Sequence, residues 1–177
     1  MYALTPDKGI VAHREAGDVL HTYIQLKCDL DWISNIDFTN LSASTQVIAE
    51  QFEGWAPELT ALITEGSSNL IPRKIYALPD EHRWQRTPGV TLLGDAAHLM
   101  APSGEGANLA IYDAAELGKL IVEYPNDIEL ALENYEQALF KRSAAEAEES
   151  HELLDLCLGQ DAPYVLIALF EGSNEQN

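Results

Sequence analysis

The stretch from Pro88 to Leu120, PGVTLLGDAAHLMAPSGEGANLAIYDAAELGKL, limits the fold more than any other part of the chain. It reads as strand, turn, glycine-containing loop and helix in succession. Val90, Thr91, Leu92 and Leu93 form a short apolar, β-branched run that predicts a strand buried on both faces, and Gly94-Asp95 ends it. In the loop, Pro102, Gly104 and Gly106 let the backbone approach a ligand closely, and the helix opening near Glu105 or Gly106 points free N–H groups back at it. Such a helix start favours negative or carbonyl-rich groups over a metal ion. The plainer reading of the same corner is structural, with Asp95 as a capping or turn residue and His98 as a hydrogen-bonded core histidine.

Composition narrows what the corner can belong to. At 177 residues and 46% hydrophobic content, the chain is long enough to bury a core and reads as a mixed α/β (α+β) fold. Ten Lys and Arg face 29 Asp and Glu, for a formal net charge of −19. That excess repels phosphate backbones and anionic bilayers, so neither nucleic acid nor a membrane is an expected partner. Cys28 and Cys157 form no Cys-x-x-Cys pair, which suggests neither a disulfide framework nor a zinc-thiolate site and fits a reducing cytoplasm. No apolar run approaches the ~18 residues of a membrane helix, and no basic-then-apolar leader opens the chain.

The string Gly94-Asp95-Ala96-Ala97-His98, then Pro102, Gly104, Gly106, Asn108 and a helix containing Asp113-Ala114, resembles the second flavin-binding motif of FAD-dependent monooxygenases. The likeness is to the single-component aromatic-hydroxylase type, and within it to the tetracycline-degrading branch. It implies that Asp95 bonds the ribityl chain of FAD and that Pro102 lies against the ring system. Past Gly104, the backbone N–H groups of Gly106, Ala107 and Asn108 would meet the flavin pyrimidine oxygen, where negative charge gathers on reduction. The segment Pro102 to Gly106 is one residue shorter than the family pattern. The resemblance covers the C-terminal half of such an enzyme. Residues 1–86 would be part of the substrate-binding sheet with packing helices, and residues 87–177 the C-terminal portion of the FAD-binding domain with closing helices. The Gly-x-Gly-x-x-Gly turn of the N-terminal Rossmann βαβ unit, which holds the adenine half of FAD, does not occur in the sequence.

What the resemblance implies for function is an NAD(P)H-dependent hydroxylase. NADPH or NADH reduces FAD, and one oxygen atom of O₂ enters a small, electron-rich organic substrate, aromatic or polyketide-like. No catalytic side chain is expected, because the flavin carries the chemistry. The alternative is a truncated, inactive remnant, or one chain of a split enzyme that needs a separately encoded N-terminal half.

Elsewhere, Gly9 to Arg14 and Asp18 to Lys27 flank Glu15-Ala16-Gly17 and predict a hairpin. In its second strand Leu20, Thr22, Ile24 and Leu26 form the core face, and Val19, His21, Tyr23, Gln25 and Lys27 the other, facing solvent or a pocket. The resemblance singles out His21 as substrate-binding. Metal binding by His13 and His21 is the weaker alternative, since no carboxylate or cysteine stands at a ligand-like spacing. Helices are expected at Asn40 to Phe52 and from Pro57 to Ile63, with Trp32 and Trp55 as hydrophobic anchors. Leu70 to Leu78 reads as an edge strand bounded by Pro72 and Pro79. Arg73, Lys74, Arg83 and Arg86 either pair with Asp80 and Glu81 or steer the phosphates of a nicotinamide donor. The helix after Asn108 is expected to be largely buried, with Asp113 outward. An Asn126/Glu129 capping box should open a long helix ending near Leu158 whose acidic second half is solvated, and a short apolar helix at Ala162 to Phe170 precedes a frayed tail after Gly172.

Overall fold

The computed structural model describes residues 1–174, and its contacts divide them into two compact units. The first comprises Met1–Arg73 together with the chain from Asp155 onward, and the second comprises Lys74–Leu154. The fold is mixed α/β, with one three-stranded sheet and seven helices among the described residues.

In the first unit, β1 (Tyr2–Thr5), β2 (Lys8–Arg14) and β3 (Leu20–Leu26) make an antiparallel sheet in the order β1-β2-β3. The expected hairpin is β2 and β3, paired from Lys8↔Leu26 to Arg14↔Leu20. Strand β1 is too short, and too close to Pro6, to stand out in the sequence. One sheet face carries Ile10 beside Ile24 and packs on Ile48 and Phe52 of α2 (Leu41–Glu50) and its continuation, and on Ile63 of α3 (Pro57–Thr64). The short helix α1 (Leu30–Ser34) brings Trp32 to this core, where Trp55 also packs edge-on against Phe52 at 4.9 Å. Asn40 caps α2 through the Ala43 N–H, and Pro57 takes the first turn of α3, as their sequence positions require. Leu20 departs from its expected core role. It ends its strand beyond the reach of the helices and is 53% exposed.

Two corrections to the predicted sheet follow, one across the Arg73/Lys74 boundary and one inside the second unit. Leu70 to Leu78 forms no strand, and Val90 to Leu93 is extended but unladdered, with a lone bridge between Thr87 and Val90. A strand needs a ladder, and among the described residues each run makes only isolated backbone contacts, Leu78 N–H to the Leu99 carbonyl at 2.7 Å and Val90 N–H to the Thr87 carbonyl at 3.2 Å; Pro72 and Pro79 also remove ladder donors. Val90 and Leu93 are consequently 53% and 39% exposed rather than buried. Helix α4 (Asp95–His98) follows, then α5 (Gly106–Glu123) and the 31-residue α6 (Ile128–Leu158). Helix α5 is only half buried: Ile111 and Val122 are exposed, whereas Leu109 and Asp113 are buried. Asp127, not Asn126, accepts from the Leu130 N–H at the start of α6, which leaves Glu129 free for other work. Helix α7 (Tyr164–Asn174) runs past Gly172, and residues 175–177 of the expected tail lie outside the described residues.

Candidate functional site

Ala97 of α4 packs with Tyr135 and Leu139 of α6, and Trp84, Leu92, Leu117, Leu120 and Phe140 close around them. Three side chains of α6 replace the missing strand neighbours of residues 84–93. Glu136, almost fully buried, accepts from Trp84 Nε1 at 3.1 Å, Thr91 Oγ1 at 2.8 Å and Arg86 Nη1 at 3.4 Å. Glu129 accepts from the Gly89 N–H at 2.6 Å and from Arg86 Nη2 at 2.7 Å. The Tyr135 hydroxyl donates to the Leu92 carbonyl at 3.2 Å, and its burial, with the nearby Asp113 charge adding, pushes the phenol pKa well up. An extended run that lacks a sheet is thus held at a set distance from one helix. Arg86 pairs with α6, not with Asp80 and Glu81 as expected; Asp80 meets His151 at 2.8 Å instead. Arg73 and Arg83 are exposed.

The run ends in Gly94 at φ 59° and ψ −140°, a backbone state closed to residues with a Cβ. That reversal allows α4 to start at once with Asp95. A Cβ on Gly94 would sit 3.5 Å from Ala110 Cβ, so the corner lies against α5. A second tie fixes the two helices. His98 Nε2 lies 2.9 Å from Asp113 Oδ2, both side chains are almost wholly buried, and Arg142 of α6 ion-pairs with the other Asp113 oxygen while stacking on Tyr112 at 4.8 Å. His98 is therefore the hydrogen-bonded core histidine of the plainer reading. Asp113, expected outward, is the anionic centre joining α4, α5 and α6. Its spacing of four from both Leu109 and Leu117 places it on their stripe, and a lone carboxylate on an apolar stripe was the available signal. Arg142, Glu136 and Glu129 had no such signal, because their partners lie about 30 to 50 residues away in sequence.

With the frame fixed, the remaining groups point outward. The Asp95 carboxylate is exposed, as are Pro102, Gly104, Ala107 and Asn108, and Gly106 is half-buried. Gly104 has φ 94°, and neither Gly104 nor Gly106 has an atom within 4 Å of where a Cβ would be, so the loop presents bare backbone. Helix α5 opens at Gly106 behind Glu105, whose side chain makes no capping bond; it accepts instead from Asn108 Nδ2 at 3.0 Å. The first N–H groups of α5 are left to an external acceptor. This arrangement can receive a polar, partly anionic group across the helix start while Asp95 accepts from hydroxyls. The fit to the ribityl and pyrimidine parts of FAD is chemical: an acceptor for polyol hydroxyls, and donors for a ring carbonyl.

Of the remaining expected site residues, His21 lies in the first unit, exposed on the β2–β3 face opposite the core, directly across from His13. The reason for setting metal binding aside does not hold there: Glu15 Oε1 is 3.1 Å from His13 Nε2 and 3.4 Å from His21 Nδ1. An open concavity of about 1010 Å³ beside α2 and α3 is lined by residues such as Gln46, Glu53 and Trp55, and none of the residues expected to bind cofactor or substrate is among them.

Residues 80–147, which hold this frame, match the family model described as FAD binding domain. Among curated proteins, a dual O-methyltransferase/FAD-dependent monooxygenase of Phaeosphaeria nodorum is 36% identical over 104 residues, 57% of this chain and 10% of that protein. An FAD-dependent urate hydroxylase of Mycolicibacterium vanbaalenii is 34% identical over 101 residues, 56% of this chain and 25% of that protein. A 6-hydroxynicotinate 3-monooxygenase of Pseudomonas fluorescens is 32% identical over 114 residues, 63% of this chain and 29% of that protein. The chain thus spans less than a third of each of these three relatives, and along that span it is similar to proteins named as monooxygenases and hydroxylases, two of them FAD-dependent. No helix is long and apolar enough to cross a membrane among the described residues.

Proposed function

We propose that this chain is the FAD-binding portion of an NAD(P)H-dependent flavoprotein monooxygenase that inserts one oxygen atom from O₂ into an electron-rich organic substrate. The observation that carries the proposal is the corner itself: an exposed Asp95 and an uncapped α5 start, held by the buried His98–Asp113–Arg142 tie inside the segment that matches the FAD binding domain. FAD, when bound, supplies the redox chemistry. The chain's own residues bind and orient it: Asp95 accepts from the ribityl hydroxyls, Pro102 and Gly104 border the ring, and the N–H groups of Gly106, Ala107 and Asn108 face the pyrimidine oxygen. The finer likeness to the tetracycline-degrading branch, with His21 touching the substrate, is supported by the loop string and by the exposure of the His21 face. Free Cys28 and Cys157 support a reducing, cytoplasmic setting.

A second reading is favoured by the exposure of Val90 and Leu93 in a strand-like apolar run that makes only a single bridge among the described residues, to Thr87. In it, a separately encoded N-terminal half completes the sheet and supplies the adenine contacts. One experiment separates the readings. FAD is titrated into the purified chain 1–177, alone and with a family N-terminal half, and flavin fluorescence and retention through dialysis are followed. Retention only with the added half supports the split arrangement, and retention by neither sinks the flavin assignment. Wherever FAD binds, Asp95→Ala should weaken it about tenfold or more, since a charge-assisted bond is worth roughly 1.5–3 kcal/mol. The melting temperature should hold, because Asp95 is exposed.

A further inference from the structure

On the sheet face away from the core, the register of β2 and β3 sets His13 directly opposite His21, and Glu15 follows His13 by two residues and so shares its face. The turn brings the three together. Glu15 N–H donates to the Val19 carbonyl at 2.8 Å, Gly17 and Asp18 take positive φ, and Arg14 pairs with Asp18 across the reversal. The imidazoles of His13 and His21 are stacked at 5.5 Å and 5° between planes, and the Tyr23 ring stacks on His21 at 4.8 Å. A metal lies in the plane of each imidazole that binds it, so a turn of these half-exposed rings out of the stack aims both nitrogens at one ion. One donor atom from each of His13, Glu15 and His21 lies within 4.8 Å of the other two.

We propose that this hairpin face is a binding site for a transition-metal dication of the zinc class, with His13 Nε2, His21 Nδ1 and a Glu15 carboxylate oxygen as ligands. Two ligands bound to zinc at about 2.0–2.1 Å in tetrahedral geometry stand roughly 3.4 Å apart. The 3.4 Å separation from Glu15 to His21 matches that value, and the 3.1 Å separation to His13 falls just below it. Two imidazole nitrogens select zinc, cobalt, nickel or copper over magnesium and calcium, which take oxygen ligands. All three side chains are about half exposed, so the fourth position opens to water or an external ligand. The net charge of −19 raises the local concentration of any dication. The proposal stands apart from the flavin-binding residues and replaces the substrate role of His21 with a ligand role; its test contains no flavin, so its failure leaves the FAD assignment untouched.

The test uses the chain 1–177 stripped with a chelator and titrated with zinc chloride by calorimetry, and with cobalt(II) followed by its visible absorption. One saturable equivalent is expected, with the intense absorption of four-coordinate cobalt, and with magnesium failing to compete. His13→Ala and His21→Ala should each weaken zinc binding about tenfold or more, the loss that even a residue behind a ligand causes, and Glu15→Gln should weaken it too. His151→Ala, whose partner is Asp80 in the second unit, serves as the control and should leave the affinity unchanged. Absence of a saturable equivalent, or retention of zinc by the His13→Ala/His21→Ala double variant, overturns the proposal.

Discussion

Buried Asp113 gathers two cationic or proton-bearing partners from two other helices, and removing it leaves the buried His98 nitrogen and the Arg142 guanidinium without their shared acceptor. Asp113→Ala should lower unfolding free energy by about 3–5 kcal/mol, as for other buried pairs broken from one side, and urea titration measures it. A cost within about 0.5 kcal/mol would mean that Arg142 and His98 find water, and that the tie does not hold the corner. Tyr135 makes a pH-dependent claim. A tyrosine in the unfolded chain titrates near pH 10, whereas burial raises the folded value. The folded state therefore holds the proton longer. The stability this contributes is fully present below about pH 10 and is lost as pH climbs from there through the folded pKa. Melting temperature should fall across that alkaline window in the native chain, and less steeply in Tyr135→Phe; parallel slopes would refute the assignment.

Among the elements, those governed by local rules were legible and those governed by distant partners were not. The β2–β3 hairpin follows from alternation, the α2 start from Asn40, the α3 start from Pro57, and the α5 start from Gly106 after the loop. The extended run at Val90 to Leu93 has the composition of a buried strand, yet burial depends on neighbours that the run itself cannot specify. The site divides the same way: the string from Asp95 to Asn108 was readable, whereas Glu136, which holds the preceding run from α6, was only another glutamate in an acidic helix. Glu136→Ala leaves Trp84 Nε1 and Thr91 Oγ1 without their acceptor while Arg86 keeps Glu129. Hydrogen exchange by mass spectrometry should then accelerate over residues 84–93, with the centre of α6 still protected. Equal exchange in both proteins would show that the run is held by apolar packing alone.

For the whole molecule, the same exposed run combines with the charge of −19 to govern solution behaviour. Exposed Val90 and Leu93 offer apolar surface on which a second chain can pack, and like charge is what keeps the copies apart. Salt shortens the reach of that repulsion from about 30 Å at 0.01 M to about 8 Å at 0.15 M. Light scattering should therefore show association that grows with ionic strength and with protein concentration, and Val90→Lys with Leu93→Lys should abolish it. Scattering that stays flat with salt would mean that the run does not recruit other chains. The colloidal lifetime of this chain thus rests on two exposed apolar side chains held apart by like charge, and a buffer chosen to mimic the cell would shorten it.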